Sequence, residues 1–348
     1  MAQQSEVSAQ KTVPDWKSLT FSLTETDTMY RSYGDSTRDP VWDDGELIPF
    51  EDVRVSPAAA FMSYGLGVFE GLKANRVDDG RVLLFRPDAN ARRLQSSAER
   101  LMMAPFPADR FVDACVQVVR DNLRFVPPAD HGSFYLRPIQ HAVEARLGLG
   151  PCTRFSFLLF GSPVGSYFRG GRPQGVRLKV LEQGRCAPGG TGYAKAMGNY
   201  AGAIYVAAQW KNKGFDDVLY LDARHVKNLT ETSGSNPFVR LRSGKLVTPS
   251  LDDQILPGVT RDSTVRLARE VLGLEVEERH IPIDEVLDDG VEMFCTGTAW
   301  TLQSVQEIVH KDRTLRFESE ECRQELFEIL RGIQLGQRAD PFGWVLEV

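Results

Sequence analysis

The sequence predicts an α+β protein of two domains, and three observations carry that prediction. The chain has 348 residues, more than one ordinary hydrophobic core supports. Its candidate strands and helices are interleaved without the strict alternation of a doubly wound sheet. An aperiodic stretch with four glycines and a proline, GSYFRGGRPQG (165–175), breaks the chain near its middle and reads as a linker. The expected division is a flexible N-terminal segment over 1–19, a small domain over 20–164, the linker over 165–175 and a large domain over 176–348.

The elements follow in order. FSLTETDTMY (21–30) is a candidate strand, and RVLLFR (81–86) is an apolar strand that stops at Pro87. Asp88 stands at an N-cap position before a helix in which Ala91, Leu94, Ala98, Leu101 and Met102 recur at helical spacing. A second helix covers ADRFVDACVQVVRDNLRF, with Phe111, Cys115, Val118, Val119 and Leu123 on one face. SFYLRPI and TRFSFLLFGSPV are strands rich in aromatic and branched residues. The second half runs strand (VRLKVLE), glycine-rich turn, helix (NYAGAIYVAAQWKN) and strand (DDVLYLD). A hairpin turned at Ser243-Gly244, the helix TRDSTVRLAREVLG, strands around VEMFCTGTA and SVQEIV, and an amphipathic helix CRQELFEILRGIQLG complete it.

Composition narrows the function. A net charge of -6 gives no basic face for nucleic acid. No stretch approaches the roughly 20 apolar residues of a membrane span. The N-terminus has no apolar core of signal-peptide length, so a cytoplasmic location is expected. Five scattered cysteines and five dispersed histidines form neither a disulfide framework nor a metal site. GLGVFEG (65–71) misses the dinucleotide-binding glycine spacing by one residue, and Asn228-Leu229-Thr230 is an incidental glycosylation sequon.

The chemistry sits in PGGTGYAKAMGNYAGA (188–203). Lys195 lies among small and apolar residues just before a helix that starts at Gly198 and Asn199. A solvated side chain is the ordinary reading of one lysine. Partial burial would favour the free amine that imine chemistry needs, and the flanking glycines allow close approach of a ligand.

Taken with LTETSGSN (229–236), DDQILPGVTRDS (252–263), FCTGTA (294–299), YGLGVFEGLKA (64–74) and YLRP (135–138), this stretch resembles the fold-type-IV pyridoxal-phosphate enzymes, and within them the branched-chain amino acid aminotransferase family. The motifs run in one order from about residue 20 to the C-terminus. The resemblance implies a smaller N-terminal α/β domain and a larger, mixed, barrel-like C-terminal domain with helices. It implies pyridoxal 5'-phosphate (PLP) in the cleft between them, and a homodimer whose partner loops close the substrate pocket. Lys195 would be the catalytic residue, joined to the cofactor and then moving a proton at the substrate's Cα. Glu231 would bond the pyridine nitrogen and Tyr200 the ring 3-oxygen. Arg93, Val259, Thr260 and Thr298 would hold the phosphate, the middle two at a helix N-terminus. Tyr64, Phe69, Tyr135 and Arg137 match substrate positions, with Thr298 and Ala299 on the α-carboxylate. A strand places Tyr135 and Arg137 on one face.

The implied reaction is transamination of an L-amino acid of the leucine, isoleucine and valine class with 2-oxoglutarate, giving a 2-oxo acid and L-glutamate. Three departures qualify the donor. Ile139, Gln140 and His141 follow YLRP where apolar or aromatic residues are usual. Thr232-Ser233-Gly234-Ser235 follows Glu231. Asp27-Thr28-Met29, with Glu25 before it, replaces a D-H-M pattern. Gln140, His141, Ser233 and Ser235 thus predict a substrate wall more polar than an aliphatic side chain requires. The alternative is an aminotransferase, lyase or isomerase of the same fold acting on a more polar or aromatic amino acid.

Overall fold

The computed structural model describes residues 11–165 and 175–348. Residues 1–10 and, but for its two ends, the expected linker lie outside the described residues. The strands fall into two sheets. The first takes β1 (Thr28–Asp35), β2 (Glu46–Pro49), β3 (Gly67–Phe69), β4 (Leu72–Arg76), β5 (Val82–Phe85), β6 (Ser133–Ala142) and β7 (Arg154–Val164). The second takes β8 (Val176–Leu181), β9 (Asp217–Leu221), β10 (Leu229–Thr232), β11 (Asn236–Leu241), β12 (Leu246–Pro249), β13 (Val276–Arg279), β14 (Gly290–Gly297), β15 (Thr301–His310) and β16 (Arg313–Arg316). A last strand, β17 (Val345–Glu347), returns to the first sheet and pairs with β5.

The first sheet is antiparallel, ordered β17-β5-β4-β6-β7-β1-β2, with β3 beside β6. Helices α1 (Ala60–Tyr64), α2 (Pro87–Arg100) and α3 (Ala108–Asp121) belong to this half of the chain. The apolar residues of α2 and α3 are buried with those of the strands in one core, where Phe106 stacks on Phe157 at 3.9 Å and Trp42 meets Phe106 edge-on at 5.0 Å. The second sheet is mixed, with parallel pairs β8–β9, β8–β15 and β12–β13. Its edge strand β10 meets the segment after β13, through a hydrogen bond from Leu229 N–H to Ile281 O at 2.8 Å, so its two ends are brought together. Around it lie α4 (Gly198–Lys211), α5 (Val259–Arg266), α6 (Ile283–Asp289) and α7 (Glu321–Gln334). A third core joins the halves: Phe85 of β5 and Trp344, just before β17, pack with Phe238, Phe294, Leu302 and the apolar face of α7. This is the α+β architecture the sequence predicts.

Three local expectations are corrected. Residues 11–19, expected as part of a flexible lead-in, are docked: Val13 packs on the first core and Arg124 Nη2 donates to Lys11 O at 2.7 Å. The N-cap of α2 is Arg86 in the left-handed region rather than Asp88, because Pro87, which lacks an N–H, occupies the first helical position. Asp88 instead pairs with the exposed Arg92 at 2.6 Å. Finally, Gln140 and His141 are not pocket residues. Gln140 alternates onto the core face of β6 with Phe134 and Leu136 and donates to Ala104 O at 2.8 Å. His141 lies under α1, its ring 4.5 Å from that of Phe61.

Burial holds His141 at about 4, below its ordinary 6.5. The unfolded chain therefore takes up a proton between those values that the folded protein refuses, and stability falls as pH drops through that window. The expected loss attributable to His141 is at most about 3 kcal/mol. Denaturant unfolding of His141→Gln at pH 7 and pH 4.5 should show a smaller acid penalty than the wild type. An equal penalty in both would assign the loss to other groups.

Candidate active site

The site is built where the loop before α4 crosses the first sheet. Residues 195–197 run antiparallel to β3: Phe69 N–H donates to Lys195 O at 3.1 Å and Met197 N–H to Gly67 O at 3.0 Å. Lys195 N–H donates to Ser97 Oγ of α2 at 2.9 Å. Gly67 permits this approach, since a Cβ there would stand 2.6 Å from Met197 Sδ. From the other side Asn199, in the first turn of α4, donates to the carbonyls of Thr191 and Ala194. The lysine backbone is thus held from both halves of the molecule.

Its side chain is half-buried. Nζ donates to Tyr200 Oη at 3.0 Å and lies 4.7 Å from the Phe69 ring centroid. The tyrosine and phenylalanine rings meet edge to face at 4.8 Å. This amine opens onto a cleft of about 590 Å³ lined by Phe21, Phe69, Tyr135, Arg137, Tyr200, Thr298, Ala299 and Trp300, among others. Arg137 faces no carboxylate among the described residues; its Nε is buried without a partner, and its guanidinium lies 5.0 Å from the Phe69 ring. A half-buried guanidinium whose Nη2 reaches only Tyr135 Oη, at 3.5 Å, suits a planar anion.

Behind the lysine, Glu231 on β10 is buried against Arg185, which donates to Oε1 from Nε at 2.9 Å and again from Nη2. Burial pushes the Glu231 carboxyl up while Arg185 and the Leu256 N–H pull it back, and, although burial opposes its charge too, the same pairing holds the Arg185 guanidinium above its ordinary range. Oε1 also accepts Leu256 N–H at 3.4 Å, whereas Oε2 takes no hydrogen bond from the described residues. That leaves an anionic acceptor for a ligand N–H.

A smaller cavity shares Gly297 and Thr298 with the main cleft. Val259 and Thr260 line it from the start of α5, whose N-cap, Gly258, supplies no capping side chain. The first N–H groups of that helix are therefore free to meet an anion. Arg93 of α2 is buried beside this region, bidentate to Glu70 at 2.7 and 2.8 Å, with Nη1 donating to Pro257 O just before α5.

The cleft thus gathers Lys195, Tyr200, Phe69, Tyr135, Arg137, Thr298 and Ala299, with Glu231 behind and Val259, Thr260 and Arg93 beside it. Tyr64 is not among them. It ends α1, is exposed, and donates to Leu147 O on a surface loop. Ser233 is the single member of the four suspect polar residues that reaches the cleft, and its hydroxyl bonds Asp217 Oδ1 at 2.6 Å. Ser235 turns instead to Thr232 Oγ1. Arg185, Glu70 and Asp217 escaped the sequence reading. Glu70 stood inside the quoted FEG motif, but no local signal pairs Arg185 with Glu231.

These features fit a phosphorylated pyridine aldehyde: an amine, a free carboxylate oxygen for a ring N–H, and an anion cup. Residues 67–308 match the amino-transferase class IV family. The chain is 41% identical over 337 residues, 96% of its length and 84% of the relative's, to branched-chain amino acid aminotransferase 1, mitochondrial, of Humulus lupulus. Among solved structures it resembles the branched-chain aminotransferase of Thermoproteus uzoniensis with norvaline, at 28% identity and TM-score 0.77 over 92% of this chain and 99% of that one. It also resembles the PLP-form (holo-form) branched-chain amino acid aminotransferase of Thermobaculum terrenum, at 25% identity and TM-score 0.73 over 92% and 98%. The chain belongs to the class IV aminotransferases, the fold-type-IV enzymes. It is a PLP-dependent aminotransferase.

The expected cytoplasmic location is corrected by the relatives, whose names place them in mitochondria or chloroplasts. The physical reason is that lack of an apolar leader core speaks only to secretion, because organellar transit sequences are amphipathic.

Replacing Arg185 with Leu strands the Glu231 charge, and the loss of stability should be about 3–5 kcal/mol. Chemical denaturation measures it, and a loss below 1 kcal/mol would mean that Glu231 is solvated in the folded protein.

Proposed function

We propose that this enzyme transfers the amino group of a branched-chain L-amino acid to 2-oxoglutarate, leaving a 2-oxo acid and L-glutamate. The observation that carries the reading is the Lys195 amine, fixed by Tyr200 in a cleft that also holds an arginine, Arg137, with no carboxylate partner among the described residues. Bound PLP supplies the carrier for the amino group and the electron sink for the bond to the Cα hydrogen. Lys195 Nζ takes and returns the Cα proton, and Tyr200 Oη keeps that amine aligned. Glu231 Oε2 would accept the ring nitrogen's N–H, with Arg185 opposing the burial that pushes the Glu231 carboxyl up. Arg93, the Val259 and Thr260 N–H groups, and the Thr260 hydroxyl would hold the phosphate, joined by the Thr298 hydroxyl once it turns from Gly71 O. Arg137 with Tyr135 takes the distal carboxylate of the dicarboxylate partner, while the Thr298 and Ala299 main chain takes the α-carboxylate.

An aliphatic donor fits the remaining wall. Phe21, Phe69 and Trp300 are apolar, and the Ser233 hydroxyl is already satisfied by Asp217. Away from Arg137, whose buried Nε is left for a carboxylate, a leucine side chain meets no unsatisfied hydroxyl at Ser233, which removes that argument for a polar substrate. A donor panel against 2-oxoglutarate tests this. Leucine, isoleucine and valine should be turned over at least about tenfold faster, in kcat/KM, than aspartate or phenylalanine, the difference one or two buried groups supply. Preference for an aromatic or polar donor would overturn the assignment. In the same assay Lys195→Ala should lose roughly 10²–10⁴-fold or more in turnover.

We further propose a homodimer. Tyr64 and the loop carrying Leu147 and Leu149, which are 91% and 81% exposed, stand on the surface as an apolar patch, and a second copy would present them over the cleft. Light scattering should give twice the chain mass. Leu147→Asp with Leu149→Asp should raise KM while sparing PLP retention. A monomeric, fully active wild type would refute the arrangement.

A further inference from the structure

Arg86 joins β5 to α2 in a backbone conformation that a residue with a side chain rarely adopts, at φ 49° and ψ 49°. Such strain persists where neighbouring structure over-determines it. Here the constraints come from three directions. Arg86 N–H donates to Trp344 O at 2.7 Å, and the guanidinium lies 5.0 Å from the Trp344 ring. Arg86 O accepts Asn90 Nδ2 at 2.8 Å. Nη1 reaches into the other half of the molecule, donating to Asp262 Oδ2 at 2.6 Å and Ser263 Oγ at 2.8 Å in the first turns of α5.

Both branches lead to the same place. Asn90, which donates to Arg86 O and lines the smaller cavity, has its Oδ1 3.5 Å from Arg93 Nη2, so Arg86 is linked through it to the arginine of α2. Through Asp262 and Ser263 it sets where the open N-terminus of α5 stands. Trp344, stacked on Phe342 at 4.3 Å and edge-on to Phe85 at 5.7 Å, closes over the junction.

We propose that Arg86 is a positioning residue that, locked beneath Trp344, holds the α5 N-terminus and the α2 arginine together as one anion cup, so that the grip on the cofactor phosphate depends on the C-terminal clasp. The proposal rests on the reading of Arg93, Val259 and Thr260 as phosphate donors. Arg86 itself does not line the smaller cavity; its Nη1 is engaged by Asp262, Ser263 and, at 3.5 Å, Val259 O.

The test compares the affinity of the full-length protein, stripped and reloaded, for PLP and for pyridoxal, which lacks the phosphate, by titration of the bound chromophore. A general loss of structure weakens both ligands alike; a displaced cup weakens PLP alone. Arg86→Gln should lower the PLP-over-pyridoxal preference by about tenfold or more, the contribution of one or two charge-assisted bonds, and leave pyridoxal affinity within about threefold. Arg86→Lys should recover part of the preference. Asp262→Asn, on the exposed side of the contact, removes the charge partner without disturbing the core and should act in the same direction. Thr260→Ala reports on the cup itself. If Thr260→Ala lowers the preference while Arg86→Gln and Asp262→Asn leave it unchanged, the positioning role is wrong and the cup stands. If Thr260→Ala leaves it unchanged, the phosphate reading of α5 falls, and the role of Arg86 with it.

Discussion

The structure depends on one backbone docking: the strand-like contact of residues 195–197 with β3, completed by the Ser97 hydroxyl. A lysine side chain has four rotatable bonds and strongly favours water, so its amine stays in a cleft only if its Cα is fixed and its route outward is walled. Here the Cα is held by the first half of the molecule, although the lysine belongs to the second. The cleft therefore lies between the halves because the residue that gives it chemistry is pinned to both.

Charge in the interior follows the same logic. Arg93–Glu70 and Arg185–Glu231 are buried ion pairs, and a pair of that kind adds little net stability over an apolar replacement. What each does is fix a direction. Glu70 turns Arg93 toward the start of α5, and Arg185 takes one oxygen of Glu231 while the other is left for a ligand. Arg137 has no carboxylate partner among the described residues and meets only Tyr135 Oη, at 3.5 Å.

Much of this was legible in the sequence, because it is local. Lys195, Asn199 and Tyr200 are within two turns of one another, and the alternation of β6 puts Tyr135 and Arg137 on one face. The same alternation exposes the misreading of Gln140, which falls on the core side; His141 shares the pocket side, but α1 covers it. What was not legible depends on distance along the chain. Arg185 meets Glu231, Arg86 meets Ser263, and Val13 meets the first core across separations at which no spacing rule operates. Tyr64 was legible as a motif position, yet its own cleft lies elsewhere.

The return of β17 to the first sheet has a consequence for how the protein is made. The strand that covers the edge of β5 emerges from the ribosome only after the whole second sheet and α7. Until then the first sheet displays an unpaired edge of Val82, Leu83, Leu84 and Phe85, a short run of apolar and aromatic residues suited to pairing with a stranger. The nascent first sheet, before β17 is made, is thus a species open to aggregation.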